Sequence, residues 1–359
     1  MSFRQWTGAP SPAKKGATPL EETVMSKTTL FVGALALAAA AQPAGAASEF
    51  CSSTARLLYE ACQDEAEVDA QVAKAVCINE SNSRRRADCL DDAKQAKSEA
   101  RAECREQRDA RIDICDALGE ERYDPSFDPD DFDRNFVHPA HPNPWFPLRV
   151  GNRWSYAGGG EKIEVEVLDE TKEIEGVTCV VVRDRVEEDG DVIEDTDDWF
   201  GQRKNGTVDY CGEISQSFEL FEGDDPEVPE LVSLEGSWKT GVDGARNGTI
   251  FPAQPLVGAV YRQEFAPGTA EDVAEVLSTT YAFGRDARLD AHVPRALARL
   301  LCSAADCVVT AETNPFDPDV LERKYYARGI GLFLEVDVES GDTVRLVDCS
   351  FDARCDALR

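Results

Sequence analysis

The stretch CSSTARLLYEACQDEAEVDAQVAKAVCINESNSRRRADCLDDAKQAKSEARAECREQRDARIDIC (51–115) carries six cysteines, at 51, 62, 77, 89, 104 and 115. The gaps between them, 11, 15, 12, 15 and 11, read the same in both directions. The outermost, middle and innermost pairs therefore share one sum of residue numbers, 166. A constant sum is the register of two antiparallel arms folded about residue 83, where Asn79-Glu80-Ser81-Asn82-Ser83 supplies a polar turn. Both arms are dense in Ala, Glu, Gln, Arg, Lys and Leu and contain no Pro or Gly, so they are expected to be helices. Gaps of 11 and 15 are close to three and four turns at about 3.6 residues per turn, which sets each arm's cysteines on one stripe.

The same sum pairs Ala66 with Ala100, Ala70 with Ala96 and Ala73 with Ala93. A disulfide needs Cα atoms about 4.4–6.8 Å apart, closer than the about 8–10 Å between axes of ordinarily packed helices. Facing alanines let the backbones approach that closely. The expected bridges are Cys51–Cys115, Cys62–Cys104 and Cys77–Cys89. A zinc or haem site would need short spacings such as C-x-x-C, and none occurs. So polar a pair has little core of its own, and each bridge would contribute about 2–4 kcal/mol by restricting the unfolded chain. The resulting rod, roughly 40–45 Å long at about 1.5 Å per residue, suits a spacer, a lid or a partner-binding arm.

Upstream, MSKTTLFVGALALAAAAQPAGAA (25–47) has the layout of a secretory signal peptide: Lys27, an apolar run from Leu30 to Ala41, and an A-x-A site at Ala44-Gly45-Ala46. Cleavage after Ala46 or Ala47 is expected, with Met25 as the true start. Ser48-Glu49-Phe50 before Cys51 is no lipobox, so no lipid anchor is expected. No later segment is long and apolar enough to span a membrane. A periplasmic or extracellular location follows, and in such an oxidising compartment twelve cysteines read as a disulfide framework.

The chain divides into an upstream segment with signal peptide (1–47), the hairpin (48–120), an acidic proline-rich linker (121–147) and a β-rich domain (148–359). Six prolines in the linker forbid helix and favour an extended strap. Asp128, Asp130, Asp131 and Asp133 are its candidate metal ligands. Their ion would be calcium, although the glycine and glutamate of an EF-hand loop are missing. Prolines also keep His138 and His141 from sharing a helical turn. Otherwise no cofactor is expected.

Behind the linker, turn signals at Gly158-Gly159-Gly160, Asp189-Gly190, Asn205-Gly206, Asn247-Gly248 and Ser340-Gly341 separate segments rich in Val, Ile, Thr and aromatics. The strands expected are 162–168, 177–182, 195–204, 207–214, 260–265, 273–283, 308–313, 321–328, 332–338 and 343–349. Short connections imply an antiparallel meander, curled into a sheet. One helix, Arg295 to Leu301, follows Pro294. The fold class is α+β. The remaining six cysteines allow fifteen connectivities; local pairing would close Cys302–Cys307 and Cys349–Cys355 and leave Cys179 to bridge Cys211. Asn205-Gly-Thr207 and Asn247-Gly-Thr249 match the glycosylation pattern, but each is read as a turn.

The segments NPWFPLRVGNRWSY (143–156), GSWKTGVDGARNGTIFPAQPLVGAVYRQEF (236–265) and ERKYYARGIGLFLEV (322–336) resemble hallmark stretches of an uncharacterised family of exported bacterial proteins. The resemblance covers about residues 143–350. It implies a bacterial extracytoplasmic location and no catalytic residues.

A net charge of −31 repels phosphate backbones and anionic lipid, so nucleic-acid binding is not expected. The chain has three histidines and no G-x-S-x-G, H-E-x-x-H, P-loop or Rossmann fingerprint. With 69 acids, carboxylate pairs carry no information. Trp154, Tyr156, Trp199, Tyr210, Trp238, Tyr261 and Phe265 are the candidate ligand-binding residues: a curled sheet could bring them around an apolar or amphipathic ligand. Core packing explains the same rings. The long loop Gly236 to Gly258 is the first place expected to hold a site. Non-catalytic ligand binding is therefore the leading expectation. A protein-interaction module built on the hairpin and an unrecognised hydrolase are the alternatives.

Overall fold

The computed structural model describes residues 49–358, and the expected signal peptide lies outside them. The hairpin consists of α1 (Phe50–Cys77) and α2 (Ser83–Leu118). Asn82 starts α2 by accepting hydrogen bonds from the amides of Arg84 and Arg85, two of the donors that a helix start leaves unpaired. Cys51–Cys115, Cys62–Cys104 and Cys77–Cys89 join the helices with Cα separations of 5.6, 5.8 and 5.6 Å. Ala66, Ala70 and Ala93 are buried in the seam and permit that approach. Ala96, expected to face Ala70, is exposed instead. From Ala93 a helical step of four lands on Lys97, and Lys97 reaches across to Glu67 of α1, which Arg101 also contacts.

The β-rich part begins with β1 (Arg153–Gly158), β2 (Glu161–Ile174), β3 (Val177–Glu188), β4 (Asp191–Gln202), β5 (Val208–Glu219) and β6 (Glu230–Ser233). It continues with β7 (Trp238–Lys239), β8 (Gly248–Phe251), β9 (Val260–Arg262) and β10 (Val273–Tyr281). After α3 (Arg295–Leu301) come β11 (Cys307–Asn314), β12 (Asp317–Ala327), β13 (Gly331–Asp337) and β14 (Thr343–Cys349). All ladders are antiparallel, in the order β6-β5-β4-β3-β2-β1-β14-β13-β12-β11-β10-β9. Two meanders, β1–β6 and β9–β14, are thus joined by the pairing of first strand with last, Trp154 opposite Cys349 and Tyr156 opposite Leu346. Four strands escaped the sequence reading: β1, β6, β7 and β8.

The sheet curls without closing. Strands β7 and β8 fold back onto β5, and β8 brings Gly248 against the backbone of Gln263, just beyond β9. A Cβ on Gly248 would lie 1.8 Å from the Gln263 carbonyl oxygen. Asn247-Gly248 is therefore no hairpin turn. Gly248 opens a strand, and its lack of a side chain serves close approach rather than a positive φ. Asn247 is buried and donates to Asp209 at 2.8 Å. Asn205-Gly206 does form a turn, with Gly206 at φ 95°.

One face of β3–β5 packs outward on a second core, where Ile174, Val177, Val181 and Trp199 surround the Cys179–Cys211 bridge. The linker covers it with Phe127 and Phe132. Its expected extended course is broken by one 3-10 turn, Pro129–Asp131, which a proline tolerates at its start because no N–H is needed there. Two further bridges, Cys302–Cys307 and Cys349–Cys355, end α3 and staple the chain after β14.

Replacing Gly248 with alanine forces β8 away from Gln263. Urea unfolding of Gly248→Ala is expected to show a loss of about 2–3 kcal/mol, the scale of an overpacked core. A loss below about 0.5 kcal/mol, the scale of ordinary surface substitutions, would show that the two sheet ends do not depend on this contact.

Candidate functional site

The last turns of α2 and the first turns of α1 lie against the region around β9, and a groove of about 520 Å³ opens between them. Its apolar wall is Phe50, Leu57 and Leu58 of α1, Ile114 and Leu118 of α2, and Phe265 beyond β9. Tyr123 of the linker enters from the side, its ring centre 4.8 Å from that of Phe265, and its hydroxyl donates to the carbonyl of Asn247 at 3.0 Å. Burial pushes the Tyr123 phenol above its ordinary pKa, so it stays neutral. The floor is a salt bridge that crosses from hairpin to sheet side. Arg111 donates Nε and Nη2 to the two oxygens of Glu271 at 2.9 and 2.8 Å, with both side chains nearly sealed from solvent. Three more arginines face the groove. Arg122 lies over the Phe50 ring, Arg246 pairs with Asp124 at 3.1 Å, and Arg262 sits over Tyr123 and Phe265.

Of the aromatic residues singled out in the sequence, only Phe265 belongs to this groove. Trp154 and Tyr156 are buried on β1 and donate to the carbonyls of Ile330 and Leu332. Trp199 points to the outer core beneath Lys172. Tyr210 stacks on Phe200 and meets Trp238 edge-on. Tyr261 is half-buried on β9. The rings are thus distributed over separate places in the sheet. The stretch Gly236–Gly258, expected to be one long loop, contains β7 and β8, and it contributes Arg246 to the groove wall. None of the groove arginines was legible beforehand, because 111, 122, 246 and 262 meet only through the fold.

A second cluster occupies the inner face of the curled sheet. Asp184 of β3, Glu194 and Asp198 of β4, Glu213 of β5, Glu264 after β9, Glu312 of β11 and Glu335 of β13 are all buried. Lys324 of β12 is the buried cation among them, 2.8 Å from Glu312, with Glu322 and Glu335 at 3.5 and 3.6 Å. The Tyr210 hydroxyl bridges Asp198 and Glu213. Neither oxygen of Asp184 has a hydrogen-bond partner among the described residues. Burial, then the neighbouring Asp198, Glu194 and Glu335, drive the Asp184 carboxyl well above its ordinary pKa. Burial likewise lifts Asp272 to about 7 and Glu335 to about 8. Burial thus disfavours the charged form of each of these carboxyls.

Among the described residues no group of three or more His, Cys, Asp or Glu side chains is placed to hold a metal ion. The linker aspartates act locally. Asp128 accepts from the amide of Asp130, Asp131 pairs with Arg203, and Asp133 accepts from Arg134, Asn135 and Ala140. His138, His141 and His292 are exposed.

Raised carboxyl pKa values bind protons more tightly in the folded chain. Their contribution to stability is full below the ordinary carboxyl range near pH 4, and it is lost as pH rises through about 7 and 8. Asp184→Asn removes one ionisable site without changing shape. In urea unfolding at pH 8 this variant is expected to be about 1–3 kcal/mol more stable than the parent, and the difference should vanish at pH 4. Equal stabilities at pH 8 would mean that Asp184 is accommodated as an anion. No protein-family model, no curated protein and no solved structure matches this chain.

Proposed function

We propose that this is an exported, non-catalytic binding protein that holds an amphipathic small molecule in the groove between hairpin and sheet. One observation carries the reading: a space of about 520 Å³ whose walls are aliphatic and aromatic while its floor and rim hold arginines. That volume falls within the about 300–1,000 Å³ of small-molecule sites, and a mainly apolar lining with a few placed polar groups is their common chemistry. Export is supported by six disulfides with no free cysteine among the described residues, a state that an oxidising compartment maintains. Among those residues no helix is long and apolar enough to cross a membrane.

The hairpin contributes half of the walls, so its bridges belong to the binding site as well as to stability. Nile red, a neutral apolar dye, is the direct probe. One dye per chain is expected, with a blue-shifted emission. Leu58→Trp, which fills the groove from α1, should weaken it by about tenfold, equivalent to about 1.4 kcal/mol. Binding unaffected by the tryptophan would move the ligand elsewhere, and no binding at all would defeat the reading.

A further inference from the structure

The groove's arginines are not equivalent. Arg246 has Asp124, and Arg122 is exposed to water over Phe50. Arg111 occupies both oxygens of Glu271, and Glu271 also accepts from the Gly268 amide. Among the described residues Arg262 is left with no carboxylate within salt-bridge distance, although it is only 9% exposed. Its one polar side-chain contact among those residues is Nη2 to the sulfur of Cys51, at 3.5 Å. A disulfide sulfur is a poor acceptor for a guanidinium.

Arg111, Arg262 and Glu271 thus form a buried group with one excess positive charge, in a chain whose net charge is −31. The rings of Tyr123 and Phe265, 5.7 and 5.1 Å from the guanidinium carbon, supply cation–π attraction. That attraction is small beside the cost of withdrawing an unmatched cation from water. Glu271 acts on Arg262 through space, but one carboxylate cannot neutralise two guanidiniums. The unmatched charge faces the groove, because Arg262 is one of its lining residues.

We propose that Arg262 is the seat for an anionic head group, and that the groove takes an organic monocarboxylate with an apolar body. This rests on the groove being the binding site. A planar guanidinium edge matches a carboxylate in bidentate fashion. One negative charge balances the buried excess. A phosphate dianion would overshoot it and would meet Glu271 and Asp124 close by. Beyond the head, Phe265, Leu58 and Ile114 offer the apolar surface that the body of the ligand covers.

The test is calorimetric titration of the full mature chain with decanoate and with decanol, which share a tail and differ in charge. Decanoate is expected to bind at least tenfold more tightly. In Arg262→Gln the preference for decanoate over decanol should be lost. Arg262→Lys keeps the charge without the fork and should retain part of the preference. The wild-type pair decides the matter even if either variant fails to fold. Decanol binding as tightly as decanoate would overturn the anionic seat while leaving the groove intact. Failure of both ligands to bind would overturn the groove reading and the seat together.

Discussion

The pairing of Arg111 with Glu271 sets the relation of hairpin to sheet. The helix pair turns only a few apolar side chains toward the sheet side, Phe50, Leu58 and Ile114 among them, and a two-pronged, charge-assisted hydrogen bond taken out of water gives that contact its direction. Removing one partner from such a pair commonly costs about 3–5 kcal/mol, because the other is left buried and unmatched. Its directionality fixes the last turns of α2 beside the segment after β9. The groove exists because that bridge spans its floor while the helices and the Phe265 segment stay apart above it.

The parts of this architecture legible in the sequence were those with a period or a symmetry. The cysteine sum of 166 places the hairpin's bridges, since a rigid antiparallel register leaves little freedom once one pair is set. It failed at Ala96, where helical periodicity rather than mirror symmetry decides which side chain faces the partner. Strands such as β2 and β3 announced themselves by β-branched alternation. Strands β6 to β8 span two to four residues, too short for a period to register. Gly248 was misread because an Asn-Gly pair carries the same local signal whether the glycine turns the chain or merely makes room. The groove was out of reach for a different reason: its members come from four distant stretches, and nothing in the neighbours of Arg262 shows that its counter-ion is already taken.

The inner face of the sheet departs from the usual rule that strands bury apolar side chains and expose charged ones. Asp184 alternates with Val182 and Val186 on the buried side of β3, and Glu194, Thr196 and Asp198 do the same on β4. Folded, those acids are among the most enclosed groups in the molecule. Around Tyr210 the phenol hydroxyl donates to both Asp198 and Glu213, and burial raises the pKa of both carboxyls, which disfavours their charged forms. Two regions of opposite electrostatic character thus lie in one acidic chain: a proton-retaining interior and a cationic groove.

The three bridges of the hairpin have a topological consequence. Cys77 and Cys89 flank the exposed turn at the tip, while Cys51 and Cys115 clamp the base beside the groove. A protease that cuts anywhere between residues 78 and 88 severs the polypeptide without releasing either helix, because each half remains tied to the other at three levels. The two-chain product would keep its groove walls in place. In an environment rich in proteases, the most accessible part of this rod can be nicked without being lost.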